Sequence, residues 1–136
     1  MKRNHYLVHL VAFCIVAVSC SKQMSTTADV SLVGTWKWVR TDGGIAFNIH
    51  QTPASTGKNI DLKFTSDNKY YYFTNDSLTS QGMYSFTTEK SIVDHSDKTV
   101  IVFSNDNDWM ILNSDYNNLE LSDNAYDGVG SVFVRK

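Results

Sequence analysis

The sequence NIDLKFTSDNKYYYFT, at residues 59–74, contains two strands and the turn between them. From residue 59 to 65, apolar and polar residues alternate, and this period of two is typical of a β-strand with one buried face. The Ser-Asp-Asn at 66–68 consists of residues that favour turns. We therefore predict an antiparallel hairpin in which residues 69–74 return beside residues 59–65.

Short strands and turns continue on both sides of this hairpin. The predicted strands cover residues 32–41, 59–65, 69–74, 78–88, 99–104, 108–113, 118–122 and 130–136. No segment has a sustained apolar repeat at helical spacing, and the short connections leave no room for crossover helices. The one longer connection, residues 44–58, holds the sole proline and has room for a short helix or an irregular strand.

Eight strands joined in sequence predict an all-β fold. An eight-stranded antiparallel up-and-down barrel, or meander barrel, closes the sheet on itself and leaves no exposed edge. A sandwich is the alternative, but it usually requires a long crossing connection. The sequence favours the barrel.

The alternation also predicts which side chains point into the barrel. The expected interior residues are Trp36, Trp38, Ile60, Leu62, Phe64, Gly82, Tyr84 and Phe86. Residues 70–73 carry aromatic side chains on both faces, and residues 109–112 carry apolar side chains on both faces, so the pattern does not choose between them. Barrels of this size are either filled by side chains or hold one small ligand.

The N-terminus resembles a bacterial lipoprotein signal. Lys2 and Arg3 precede an apolar run at 6–18, which is too short to cross a bilayer of ~30 Å and fits a signal peptide. The Ala-Val-Ser-Cys at 17–20 resembles the lipobox, in which a small residue precedes the cysteine that is acylated. An ordinary secretory signal that contains a cysteine is the alternative.

These features divide the chain into three parts. We predict a signal peptide at 1–19, a flexible tether at 20–31 and the barrel domain at 32–136. Cys20 is the predicted lipidation site, and two or more acyl chains such as palmitate would anchor it stably. Cys14, the other cysteine, follows the bulky Phe13 and fits a cleavage site poorly. The protein would then be an outer membrane lipoprotein of the cell envelope, on a side that the sequence does not determine.

Charge and composition limit the function classes. Without residues 1–19, 117 residues remain, enough for one domain, with 10 basic against 14 acidic residues and a net charge of −4. This balance argues against nucleic-acid binding and against charge-driven binding to anionic membranes. With Cys20 acylated, no cysteine is left for a disulfide.

Three polar segments contain residue types that are used in catalysis or metal binding. Residues 94–97 (DHSD) combine carboxylate, imidazole and hydroxyl, but neighbours on one strand alternate faces, and loops rarely hold a triad. Residues 105–108 (NDND) and 123–128 (DNAYDG) are rich in oxygen ligands for calcium, yet hairpin turns require the same residue types. We predict turns in all three, no enzymatic activity, no metal and no cofactor.

Residues 34–36 (GTW), at the start of the first strand, match the G-x-W motif of lipocalins and the wider calycin group. Together with the closing YDGVGSVFVRK at 126–136, they resemble the small lipocalin-like lipoproteins of Bacteroidetes-type bacteria. The resemblance implies a lipocalin-like barrel in which Arg135 lies across Trp36 where the first and last strands meet, and we expect Gly34 to let the backbone bend tightly at this closure. The domain is shorter than larger lipocalins and lacks their C-terminal helix and disulfide.

Two functions follow as hypotheses. The first is a non-catalytic binding protein for a small apolar or amphipathic ligand. Its candidate ligand-binding residues are Trp36, Trp38, Leu62, Phe64, Tyr84 and Phe86. The alternative is a filled barrel without internal ligand that recognises a protein partner, or inhibits a protease, through loops and outward aromatics such as Tyr71 and Phe73. The oligomeric state is left open.

Overall fold

The computed structural model describes residues 32–136 and shows an all-β fold. The predicted signal peptide, the tether and Cys20 lie outside the described residues. The described strands are β1 (Gly34–Gly43), β2 (Ile49–Gln51), β3 (Ile60–Phe64), β4 (Lys69–Thr74), β5 (Ser77–Lys90), β6 (Asp97–Phe103), β7 (Trp109–Ser114), β8 (Asn118–Ser122) and β9 (Val129–Arg135). Strands β4 and β8 have the predicted bounds, and the other predicted strands agree to within two residues.

Eight of these strands form a closed antiparallel barrel in the order β1-β3-β4-β5-β6-β7-β8-β9, with β9 pairing back onto β1. The predicted fold class is confirmed, and the sandwich does not form. The ninth strand, β2, was not predicted as a separate strand. It pairs only with the last residues of β1, from Thr41 opposite Gln51 to Gly43 opposite Ile49.

The connection at 44–58 contains both an irregular strand and a short helix. After a 3-10 turn (Ile45–Phe47) and β2 comes the one-turn helix α1 (Pro53–Thr56). Thr52 caps α1 by accepting a hydrogen bond from the Ser55 amide, and the Ser55 hydroxyl bonds the Thr52 amide in return. Gly57 ends the helix at φ 68°, a conformation that glycine adopts without strain.

The tight turns follow the predicted chemistry. Asn75 and Asp76 connect β4 to β5 with φ of 49° and 64°, the two positive values that the favoured two-residue hairpin turn requires. Asn68, in the turn between β3 and β4, has φ 59°. Asn and Asp tolerate this conformation better than other non-glycine residues, so the local sequence determines these turns.

A β-bulge in β1 changes which residues face the interior. Trp38 lies opposite Phe133 on β9, but the register then shifts, and Arg40 rather than Val39 takes the next position. Thr41 therefore shares the inner face with Trp38, where strict alternation would have placed Arg40. The bulge keeps a charged side chain out of the barrel.

Strand pairing also determines which side chains of residues 70–73 and 109–112 face the barrel interior. On β4, Tyr70 is buried and Tyr72 packs against the core, so Tyr71 and Phe73 face outward. On β7, Trp109 and Ile111 pack against the main core. Met110 points the other way and is buried opposite Val100, which lies outside the main core as well.

Candidate ligand-binding cavity

One end of the barrel is closed by a cluster around Trp36. The Trp36 side chain is fully buried, and its Nε1–H donates to the Leu32 carbonyl oxygen at 2.7 Å. Arg135, opposite Trp36 on β9, lies across the indole with its guanidinium carbon 4.2 Å from the ring centroid. The contact expected between these residues is thus present, and it joins the first and last strands of the barrel.

Gly34 makes room for this contact. A Cβ atom at this position would lie 2.3 Å from Nη1 of Arg135, closer than real Cβ contacts allow. Gly34 also has a φ of 143°, a backbone conformation that residues with a side chain rarely adopt. The Arg135 Nη1 atom instead donates to the Val33 carbonyl at 2.9 Å, and Nε donates to the Tyr116 carbonyl.

Aromatic side chains fill the barrel next to this closed end. Phe64 meets Tyr84 edge to face with ring centroids 5.0 Å apart, and Tyr70 meets Phe103 in the same way at 4.6 Å. The Tyr84 hydroxyl donates to the Thr65 carbonyl at 3.1 Å. Phe86 extends the cluster by packing its ring edge to face on Tyr84. This half of the barrel is a packed core.

The other half encloses a cavity of about 370 Å³. Its aromatic walls are formed by Trp38, Tyr70, Tyr72, Phe103, Trp109 and Phe133. Its aliphatic walls are formed by Ile60, Leu62 and Leu121. Its polar groups belong to Thr41, Gln51, Thr56, Lys58, Asp106 and Ser131. Gln51, Lys58 and Asp106 are exposed, so the cavity opens to solvent beside β2 and α1.

The polar groups lie in two places. Lys58 and Asp106 give the rim one positive and one negative charge. Burial raises the pKa of the Tyr72 phenol above its usual value, and the negative charge of Asp106 adds to this effect. Deeper in, the side chains of Trp38, Thr41 and Ser131 form a hydrogen-bonded chain. The cavity therefore combines apolar walls with a few placed polar groups, as ligand sites generally do.

The structure separates the six predicted ligand-binding residues into two groups. Trp38 and Leu62 line the cavity. Trp36, Phe64, Tyr84 and Phe86 belong to or pack against the core and are not among the lining residues. The alternation predicted that all six point inward, but it could not tell which half of the interior is filled.

Several lining residues were missed by sequence reasoning. Tyr72 and Trp109 lie in the two segments whose inward face was left open. Thr41 was displaced onto the inner face by the bulge, for which the sequence carries no clear signal. Ser131 lies on the predicted last strand and shares the inner face with Phe133, so strand alternation could have identified it.

The polar segments at 94–97, 105–108 and 123–128 lie in loops between strands, except that Asp97 begins β6. In the β5–β6 loop, Asp94 accepts hydrogen bonds from the amide and hydroxyl of Ser96, and these hold the pKa of its carboxyl well below the usual value. Asp108 accepts from the Phe103 amide, and Asp123 accepts from the Val129 amide. Within residues 32–136, no three acidic, histidine or cysteine side chains come together as a metal site.

In the described part of the chain, no helix is long and apolar enough to span a membrane. Comparison with protein-family models, with curated proteins and with solved structures finds no match for this sequence or fold.

Proposed function

We propose that this chain is a non-catalytic binding protein that holds one small apolar or amphipathic ligand in the open half of its barrel. The supporting observation is the cavity of about 370 Å³, since ligand pockets typically start near ~300 Å³. Six aromatic side chains line it, and its opening is reachable from solvent.

The cavity's size and shape favour a compact ligand. Its volume is near the lower limit of ligand pockets, so a ring system fits better than a long acyl chain. Trp38, Tyr72 and Trp109 offer flat faces on which such a ring can stack. The opposite charges of Lys58 and Asp106 at the rim suit a ligand with one polar end exposed to solvent.

A fluorescence titration tests this proposal. We would use residues 20–136 carrying Cys20→Ser, so that neither acyl chains nor detergent compete for the cavity. The probes are a naphthalene dye, fatty acids, a retinoid and haem. We expect at least one of them to quench the tryptophan fluorescence saturably, with one binding site per chain. Absence of saturable binding across all of them would contradict the proposal.

A pair of tryptophan variants locates the binding site. Ile60→Trp adds bulk to the cavity wall at its open end and should weaken probe binding at least about tenfold. Leu78→Trp is the matched control, because Leu78 is 48% exposed on the outside of β5. It should leave the affinity unchanged.

We also propose that the protein is a lipocalin-like lipoprotein held in the outer membrane by acyl chains on Cys20. The G-x-W motif at 34–36 and the lipobox-like sequence at 17–20 support this. Leu32 lies at the closed end of the barrel, so a tether that arrives there leaves the cavity opening clear. Mass spectrometry of the N-terminal peptide should show a cleaved, acylated Cys20. An unmodified cysteine or cleavage elsewhere would contradict the anchor and leave the barrel unaffected.

A second candidate function is recognition of a protein partner through the loops after β1 and β8. Ile45, Phe47 and Tyr126 are 71%, 78% and 75% exposed on these loops. The loops are joined by a hydrogen bond from the Gly44 amide to the Gly128 carbonyl at 3.0 Å. Exposed apolar residues grouped in this way are typical of interaction sites.

The conformation of Phe47 supports this second candidate. Phe47 has φ 54°, which is unusual for a bulky residue, and it is 78% exposed. Protease inhibition is one version that can be tested. The Phe47→Ala and Tyr126→Ala variants should lose inhibition while binding the cavity probes as before. If the unaltered protein inhibits no serine or cysteine protease, this version is wrong.

A further inference from the structure

A chain of three polar side chains runs along the cavity wall between β1 and β9. The Trp38 Nε1–H donates to the Thr41 hydroxyl oxygen at 2.9 Å. The Thr41 and Ser131 hydroxyl oxygens lie 2.7 Å apart and share a hydrogen bond in which either can be the donor. All three residues line the cavity, and Ser131 is only 7% exposed.

Counting hydrogens shows that one hydroxyl hydrogen of these three side chains has no partner among the described residues. The indole N–H can only donate, so the Thr41 oxygen must accept there. Thr41 and Ser131 carry one hydroxyl hydrogen each, and the bond between them uses one of the two. Among the described residues, neither side chain makes a further hydrogen bond. Whichever hydroxyl donates within the pair, the hydrogen of the other is left over.

This spare hydrogen determines what the cavity can bind well. An apolar ligand that displaces water from the hydroxyl pair leaves the O–H group buried and unpaired, which is unfavourable. A ligand that carries an acceptor oxygen at this point restores the bond. The Trp38 N–H cannot turn away to compensate, because its direction is set by the packed indole ring.

We propose that the Thr41–Ser131 pair recognises a hydrogen-bond acceptor on the ligand, such as a carbonyl, carboxylate or ether oxygen. The ligand is then a compact ring compound that binds with this oxygen on the hydroxyl pair and its apolar body against the aromatic walls. This inference rests on the proposed ligand-binding function and specifies the class of ligand.

The test compares two probes of the same shape. 2-Acetylnaphthalene carries a carbonyl oxygen where 2-isopropenylnaphthalene carries a methylene group. Hydrophobic burial alone favours the alkene, which is the more apolar of the two. We expect the ketone to bind about tenfold more tightly when both are measured by calorimetry. Equal affinities, or tighter binding of the alkene, would overturn the inference while the proposed binding function stands.

Two variants test whether the preference for the ketone depends on Trp38, Thr41 and Ser131. The triple variant Trp38→Phe, Thr41→Val and Ser131→Ala removes all three polar groups together, so no buried donor is left unpaired. Its ratio of ketone to alkene affinity should fall to one or below, because only hydrophobic burial, which favours the alkene, then distinguishes the two probes. The Thr41→Ser control keeps the hydroxyl and should keep the ratio.

The remaining outcomes are also decisive. A preference for the ketone that persists in the folded triple variant would show that another group binds the carbonyl and would overturn the assignment. If the triple variant does not fold, the ratio in the unaltered protein decides alone. Binding of neither probe by the unaltered protein, with no binding of the wider probe set, would defeat the proposed function and this inference together.

Discussion

The guanidinium group of Arg135 lies over the indole of Trp36, with 4.2 Å between its central carbon and the ring centroid. The same side chain bonds the carbonyl oxygens of Val33 and Tyr116, and its guanidinium carbon lies 5.3 Å from the Tyr116 ring centroid. One residue thereby connects the first strand, the last strand and the β7–β8 turn, and so holds the barrel closed at this end.

Replacing Arg135 should therefore destabilise the whole barrel. We expect Arg135→Ala to lower the free energy of unfolding by about 2–4 kcal/mol through loss of the stacking and both hydrogen bonds. Arg135→Lys should be more stable than Arg135→Ala but less stable than the unaltered protein, because lysine lacks the planar guanidinium group. Urea unfolding measures both. Lys136→Ala, which removes an exposed ion pair with Asp61, is the control and should have a much smaller effect. Full stability of Arg135→Lys would argue against the stacking.

Gly34 and Arg135 should be energetically coupled. Gly34→Ala is expected to cost about 1–3 kcal/mol, in part because of its φ and in part because the new methyl group meets the guanidinium. In an Arg135→Ala background the second part disappears, so the same substitution should cost less. A double-mutant cycle of unfolding free energies measures the difference. Strict additivity would show that the φ alone makes glycine necessary.

Trp36 carries much of the packing at the closed end. Trp36→Ala should lower the free energy of unfolding by about 3–5 kcal/mol, since the fully buried indole leaves a cavity. Thermal unfolding followed by circular dichroism reports this change. A loss below about 1 kcal/mol would mean that the indole is not part of the core.

The bulge at Val39 gives a prediction about chain length in β1. Deleting Val39 would remove the extra residue of the bulge, so that Arg40 keeps an outward position after Trp38 and Thr41 stays on the inner face. We expect the deletion variant to fold with at most a modest loss of stability, because β1 keeps the same side chains on its inner face. Val39→Ala keeps the backbone spacing and replaces a partly exposed side chain, so it should remain close to full stability. Circular dichroism and calorimetry compare the two. A deletion variant that does not fold would show that the bulge itself is needed to close the barrel.

Asp115 should contribute to acid sensitivity. The amides of Asn117 and Asn118 each donate to its carboxylate at 2.7 Å, and these bonds lower the pKa of Asp115 below its usual value. A carboxyl with a lowered pKa stabilises the fold above about pH 4, and the contribution is lost as the pH falls through the folded-state pKa. Asp115→Asn should thus be less stable than the unaltered protein at neutral pH, and the two should converge in acid. Unfolding curves between about pH 7 and pH 2 test this. A constant difference across the range would be inconsistent with it.

The elements of this fold were accessible from the sequence because they depend on neighbouring residues. Alternation along residues 59–65 identifies a strand, and the Asn75-Asp76 pair specifies the turn between β4 and β5 through φ values that these residues tolerate. The bulge at Val39 and the pairing of β2 depend on strands that are distant in the chain. Neither has a local pattern, and neither was predicted.

The candidate site, like the fold, was predicted only in part from the sequence. Alternation placed Trp36, Trp38, Leu62 and Phe64 on inner faces, but only the tertiary structure shows that the first and last of these fill the closed end while the other two face a cavity. The sequence by itself determined the strands and turns of an all-β fold, because strand period and turn chemistry are local properties, and the contact between Trp36 and Arg135 was an expectation from the resemblance. Which part of the interior stays open was decided by strand register, bulges and the fit of aromatic rings from opposite walls. These are properties of the closed sheet as a whole.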